Sequence, residues 1–355
     1  MANLSLPFVK KQQLTIGLDI GSHAVKICEL AQSGKKLKLQ SLGSARLPEG
    51  AVQDGELKNP AAVAGVIRKL LDNLKIKGKK VGISISGYSV ILKKINLAVM
   101  SAKDLDSHIQ SEAEQYIPFD LADVYLDYQD LHTNSDNEPR TDVMLVAAKR
   151  EVVDAYLQML RGIGLTPVLV DVDAFALENS YEINFGQDGN VVLVDIGSSK
   201  MNINIISRGA SLFARDVVLG SRQLSEQIQE RFDLEFDEAE GFKTGQLPAT
   251  AKQAELEEIF VATTTQWIME IKKAIDFYNS NFPDSPLTKI VLSGGGAKVK
   301  GLDHFFSEET GLPVELFNPF AQTEIDASRI DPDYINAVAP EMAISMGLAT
   351  RPCPL

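Results

Sequence analysis

The four residues Asp-Ile-Gly-Ser occur twice in this chain, at Asp19–Ser22 and at Asp195–Ser198. The first copy sits in Leu14-Thr-Ile-Gly-Leu-Asp19-Ile-Gly21-Ser22-His23, the second in Val191-Val-Leu-Val-Asp195-Ile-Gly197-Ser198-Ser199. The aspartates are about half a chain length apart in 355 residues. That spacing predicts two halves built on one ground plan. After the second copy, Met201, Ile203 and Ile205 alternate with Asn202 and Asn204, a period-two pattern that reads as a strand. Val25, Ile27 and Leu30 give a rougher version after the first. Each motif is therefore a strand, a glycine-containing turn and a strand.

This organisation separates both motifs from a Walker loop or a dinucleotide fingerprint, which lead into a helix; the Lys-Ser/Thr ending is also missing. Phosphate binding remains the physical logic. Gly21 and Gly197 let backbone come close to a ligand. The turn N–H groups and the hydroxyls of Ser22, Ser198 and Ser199, with His23 beside them, can donate to phosphate oxygens. Asp19 and Asp195 cannot touch phosphate without repulsion, so they imply a bridging Mg²⁺, held through water. Ordinary hairpins using Asp and Gly for turn geometry are the alternative for either motif alone. A third element adds to the pair. Lys289–Ser293 reads as a buried strand, followed by Gly294-Gly295-Gly296 and a helix from Leu302. Three glycines remove every side chain at one crossing, which suits a base or ribose lying against backbone; a flexible loop is the alternative.

Composition narrows the function classes. Net charge is −13, which argues against general nucleic-acid binding and against adhesion to an anionic membrane. Two cysteines and four scattered histidines offer no metal-ligand spacing. No apolar run reaches the ~18–20 residues that span a bilayer. Met1–Gln13 has no stretch suited to a signal peptide, so a cytoplasmic location is expected.

The three elements, in this order, resemble the actin–sugar kinase–Hsp70 superfamily: two phosphate hairpins and, from Ser293 to Gly301, an adenosine loop that includes Lys298. Val170–Leu177 and Ala337–Ala349 stand where its connecting helices begin. Lys26, seven residues after Asp19, matches actin's phosphate-contacting lysine. The stretches Ser111-Glu-Ala-Glu-Gln-Tyr116-Ile-Pro118-Phe119-Asp-Leu-Ala-Asp-Val-Tyr125 and Val146-Ala-Ala-Lys149-Arg-Glu-Val-Val-Asp154 resemble the FtsA-like PilM family of type IV pilus assembly proteins. Ala239-Glu240-Gly-Phe-Lys243 is similar to that family's nucleoside-contacting segment, which implies roles for Glu240 and Lys243. The resemblance implies an α/β, actin-like (ribonuclease H-like) two-lobe ATPase fold with an α+β module inserted in the first lobe. It also implies ATP and Mg²⁺ as ligands. The implied partner is the cytoplasmic tail of the inner-membrane protein PilN, in a groove near Tyr116, Pro118 and Phe119. Packing between subdomains is the other reading of those three residues. Where FtsA-type relatives end in an amphipathic helix, Arg351-Pro-Cys-Pro-Leu355 forbids one. Membrane association is then expected through partners only.

The expected organisation is a first lobe at 14–92, 166–187 and 338–355, and an inserted module at 93–165, with Ser101-x-x-Asp104 as a capping box. A second lobe is expected at 188–220 and 284–337, with a helical subdomain at 221–283 in which Trp267 is core. Thr133–Arg140 reads as a polar loop. Two function classes compete: an assembly scaffold using ATP as a structural ligand with at most slow turnover, and a small-molecule kinase of the same fold. Asp173 is the acidic candidate near the cleft. It could hold water on Mg²⁺, as Asp19 and Asp195 would; with Asn202, it could also position an attacking water. A kinase would instead need it as general base.

Overall fold

A computed structural model describes residues 15–34, 36–131 and 139–351. The expectations on Met1–Gln13, on most of Thr133–Arg140 and on Pro352–Leu355 fall outside the described residues. Two sheets carry the molecule. The first orders its strands as Thr166–Val172, Lys80–Ile85, Ile16–Ile20, Ala24–Ser33, Lys36–Arg46 and Thr323–Glu324. The second orders Ala210–Val217, Met201–Ser207, Asn190–Ile196, Lys289–Ser293 and Val314–Leu316. In both, an antiparallel meander of three strands starts at the Asp-Ile-Gly-Ser strand, whose other edge takes two parallel strands. The internal duplication seen in one motif thus extends to whole sheets.

Helices cover these sheets because their apolar faces match. Pro60–Asn73 starts with Pro60 in its first turn and the Asn59 side chain accepting from Ala62 N, two devices that satisfy an otherwise unpaired helix start. It buries Val63, Ile67 and Leu70 in one core with Val81 and Ile83. In the second lobe the 29-residue Gln253–Asn281 helix lays Trp267, Ile268, Ile271, Ile275 and Tyr278 on Val192, Ile203 and Ile290. Trp267 is fully buried, so it is core. Side chains of this size contribute about 1.5–3 kcal/mol each when buried. No helix among the described residues is long and apolar enough to cross a membrane.

Two helices join the lobes. Asp173–Phe185 packs Leu177 and Tyr181 on Val191, Leu193 and Val291. Ala343–Ala349 crosses it so closely that a Cβ on Gly347 would stand 1.7 Å from Ala176 O. Only glycine fits such a crossing.

The inserted module is a three-stranded antiparallel sheet, Val90–Ala98, Arg140–Lys149 and Val124–Asp130, with helix Ala102–Glu112 over it. Ser101 caps that helix, accepting from Asp104 N at 3.2 Å. The module's bounds differ from the expected 93–165. Val90–Leu92 already pair with Val146–Ala148. Helix Arg150–Gly162 buries Val152, Tyr156, Met159 and Leu160 against Val63 and Ile67, in the first lobe's core. The late boundary shifts too: Thr323–Glu324 add a strand to the first sheet, and Phe320 and Ile335 pack on Leu30, Leu39 and Leu42.

Candidate functional site

The two hairpin turns are closed by equivalent bonds, Gly21 N to Ala24 O at 3.1 Å and Gly197 N to Lys200 O at 2.9 Å. Both register seven residues apart, Asp19 opposite Lys26 and Asp195 opposite Asn202. The turns meet: Ser199 Oγ donates to Ser22 Oγ at 2.9 Å. Between them and the Gly294–Lys298 loop lies a cavity of about 570 Å³, within the range of small-molecule sites. Asp19, Gly21, Ser22, His23, Lys26, Asp173, Asp195, Gly197, Ser198, Glu240, Lys243, Gly294, Gly295 and Lys298 all line it. Ser199 and Asn202 line a second cavity behind the hairpin. Gly296 is buried against Ile196, where a Cβ would stand 2.3 Å from Ile196 Cγ2.

At the end where the two hairpins meet, Lys26 Nζ is 3.0 Å from Asp19 Oδ2. Burial disfavours the ammonium's charge, yet Asp19 and Asp195 together outweigh it and raise its pKa. Lys200 Nζ is 2.9 Å from Asp173 Oδ2. Burial works against that carboxylate's charge, but Lys200, with the Ser84 and Ser86 hydroxyls beside it, holds Asp173 below the usual range. Asp195 has no lysine at ion-pair distance among the described residues; Ser293 Oγ donates to its Oδ2 at 2.8 Å. Burial therefore dominates and pushes Asp195 up to about 6. No group of three or more Asp, Glu, His or Cys side chains among the described residues could hold a metal directly.

At the other end, Lys243 is buried and bonds Glu240 Oε1 at 2.5 Å and Ser225 Oγ at 2.9 Å. Gly294 takes φ +82 and donates its N–H to Pro340 O at 2.8 Å. That backbone conformation is glycine's. Lys298 pairs with Glu341. Over the mouth, Arg46 of the first lobe reaches Asp237 at 2.6 Å and lies 5.5 Å from the Phe236 ring. His23 stacks on Phe236 at 5.6 Å, and burial followed by Arg46's charge lowers its pKa. Arg222 pairs with Glu49 across the same gap.

Sequence reading missed Lys200, Arg46, Arg222, Phe236 and Glu341 as cavity-lining residues. Lys200 was within reach, being a cation directly after Gly197-Ser198-Ser199. The others, Arg46 at the end of a strand and Arg222, Phe236 and Glu341 in helical turns, are brought to the mouth only by folding. The inserted module's Tyr116 and Phe119 pack partly buried around Ala113, Ile117 and Val124. Pro118 and Phe119 also line a small cavity of about 450 Å³ with Asp120, Asp123, Lys149 and Arg150.

The family model described as type IV pilus assembly protein PilM matches residues 17–353. Among solved structures, the chain is similar to a PilM–PilN type IV pilus biogenesis complex. That match has 28% identity and a TM-score of 0.84, and covers 97% of this chain and 100% of the other. It is also similar to ethanolamine utilization protein EutJ from Carboxydothermus hydrogenoformans, at 16% identity, TM-score 0.55 and coverages of 98% and 92%. MreB5 of Spiroplasma citri, bound to ADP, matches at 11% identity, TM-score 0.53 and coverages of 95% and 95%. The last two likenesses show the fold, which is the actin-like one.

Proposed function

The chain belongs to the type IV pilus assembly protein PilM family, and from that premise we propose that it is an ATP-binding scaffold of the pilus assembly complex. It works at the cytoplasmic face of the inner membrane, joined to it through partners. The observation that carries the nucleotide reading is the convergence of both Asp-Ile-Gly-Ser turns and the Gly294–Lys298 loop on one cavity.

Phosphates lie between the turns, where Ser22, His23, Ser198 and Ser199 have backbone N–H groups unused by any hydrogen bond among the described residues. The nucleoside lies toward Glu240, Lys243 and Gly294–Gly295. The cavity's lining holds six acidic and six basic side chains, so it supplies no net positive charge to a triphosphate. A divalent cation with the nucleotide corrects this. Asp19, Asp173 and Asp195 converge on the cavity with other partners already on them, which suits Mg²⁺ held through water. Turnover is slow at most. A small-molecule kinase is disfavoured, because Asp173, its candidate base, is tied to Lys200 and holds its proton weakly.

The likeness to the PilM–PilN complex, over nearly the whole of both chains, supports PilN as the partner here. Its cytoplasmic N-terminal tail docks on the inserted module around Tyr116, Pro118 and Phe119. A labelled synthetic tail should bind the full chain, and Phe119→Ala should weaken binding about tenfold, as for an anchoring aromatic; unchanged affinity would remove the module from the interface. Thermal shift with Mg²⁺ and ATP tests the nucleotide half. Asp19→Ala and Asp195→Ala should each lose most of the ligand-linked stabilisation, and an undiminished shift in both would refute the site.

A further inference from the structure

Behind the second hairpin, one row of polar side chains crosses the sheet. Register places Ser293 beside Asp195, Asp195 beside Asn202, and Asn202 beside Asp216. Ser293 bonds Asp195, and Asn202 Nδ2 donates to Asp216 Oδ1 at 2.8 Å. The row leaves the second lobe at its far end, where Asp216 Oδ2 accepts the backbone N–H of Gly87, 129 positions away, at 2.5 Å.

Gly87 lies in the turn that joins the first lobe's Lys80–Ile85 strand to the module's Val90–Ala98 strand. The chain leaves the module beside the same turn, since Lys149 N donates to Ser89 O at 2.9 Å. The turn is wedged on its other side as well: a Cβ on Gly87, at φ +88, would stand 2.9 Å from Asp54 O. This one turn is therefore the root of the module, and a single carboxylate of the opposite lobe grips it. Asp216 makes no ion pair among the described residues. Its charge acts on Lys200, after Asp173's, to favour the ammonium, and Gly87, Lys200, Asn202 and Asp216 all line one cavity of about 260 Å³. Lys200 also lines the phosphate end of the cleft, bonded there to Asp173 of the first lobe. In the same row Asn202 is buried, 4% exposed, and its side chain lines that cavity beside Asp216.

We propose that Asp216 couples the phosphate end of the cleft to the inserted module, holding the module's root at Gly87 to the lobe that carries Lys200. Triphosphate oxygens compete with Asp173 for Lys200. Any rotation of the second hairpin that follows must either drag the 86–89 turn with it or break the Asp216–Gly87 bond. The inference rests on the nucleotide reading above and adds the route by which an occupied cleft reaches the partner-binding module.

Hydrogen exchange on the full chain, with and without Mg²⁺ and ATP, tests it, with nucleotide affinity measured in parallel. In the wild type, nucleotide should change protection across residues 86–98. Asp216→Asn keeps the shape and removes the charge. It should leave nucleotide affinity within about threefold while cutting that change at least about fivefold, the lower end of ordinary site-to-site coupling. Asp216→Glu should restore part of it. A wild-type protein that binds ATP with no change at 86–98 would overturn the coupling, as would an Asp216→Asn protein with the full change. Loss of nucleotide binding in both variants would make Asp216 a builder of the cleft and overturn it too. A wild-type protein that binds no nucleotide would instead fail the nucleotide reading itself.

Discussion

The two Asp-Ile-Gly-Ser hairpins share a backbone and differ in where their charge is satisfied. In the first, the acid and its cation sit opposite each other on neighbouring strands, Asp19 with Lys26. The equivalent of Lys26 in the second is Asn202, which turns away from the cleft to Asp216. The second hairpin's cation, Lys200, stands in the turn and finds its carboxylate on the first lobe's Asp173. The first hairpin is thus self-contained, whereas the second is tied across the lobes. A self-contained pair makes a rigid platform. A cross-tied one changes partners when the lobes move, so the two placements of the lysine give the molecule a fixed wall and a responsive wall.

The largest expected effect breaks this comparison at its first member. Lys26→Met strands Asp19, 5% exposed, and should cost about 3–5 kcal/mol in urea unfolding, as for any buried charge that loses its partner. Asn202→Ala at the equivalent position should cost only about 1–2 kcal/mol, the loss of one hydrogen bond. Equal costs would mean that the hairpins are not differently built.

Asp195 gives the next effect. Its folded-state pKa of about 6 lies above the ordinary 3.8. The folded state therefore holds the proton more tightly, a contribution complete at low pH and lost as pH rises through 6. At pH 7–8 in the absence of ligand the buried carboxylate is a net cost. Asp195→Asn should raise ligand-free stability at pH 7.5 by on the order of 2 kcal/mol and flatten its pH dependence between 4 and 7. It should also abolish stabilisation by Mg²⁺ and ATP. A variant no more stable than wild type at pH 7.5 would show that the carboxylate carries no such cost.

The smallest effect sharpens the picture of the mouth. Arg46 and Asp237 are largely exposed, with side chains 59% and 75% accessible, so Arg46→Ala should leave the melting temperature within about a degree. Because the pair bridges the lobes over the cavity, a bound fluorescent nucleotide should dissociate about two- to fivefold faster from the variant, and the difference should shrink at high salt. A salt-independent rate would place the opening motion elsewhere.

The features legible in sequence are those written locally. The repeated Asp-Ile-Gly-Ser, the alternation after Met201 and the triple glycine after Ser293 each encode a turn or strand in a few adjacent residues. Trp267 belonged visibly to a helical apolar stripe. The module's bounds were not legible, because the Val90–Ala98 strand has the alternation of any half-buried strand and nothing in it names its sheet. Helix Arg150–Gly162 shows one apolar face, but only its contacts with Val63 and Ile67 assign that face to the first lobe. Asn202 was expected, with Asp173, to help position an attacking water. It faces the cavity behind instead, since an amide there finds Asp216 in register.

A crystal structure with Mg²⁺ and a non-hydrolysable ATP analogue tests the central claim most directly. The account predicts terminal phosphates touching both the Ser22–His23 and the Ser198–Ser199 turns, with the base between Lys243 and Gly294–Gly295. An analogue seated outside this cavity, or phosphates in contact with one hairpin alone, would contradict it.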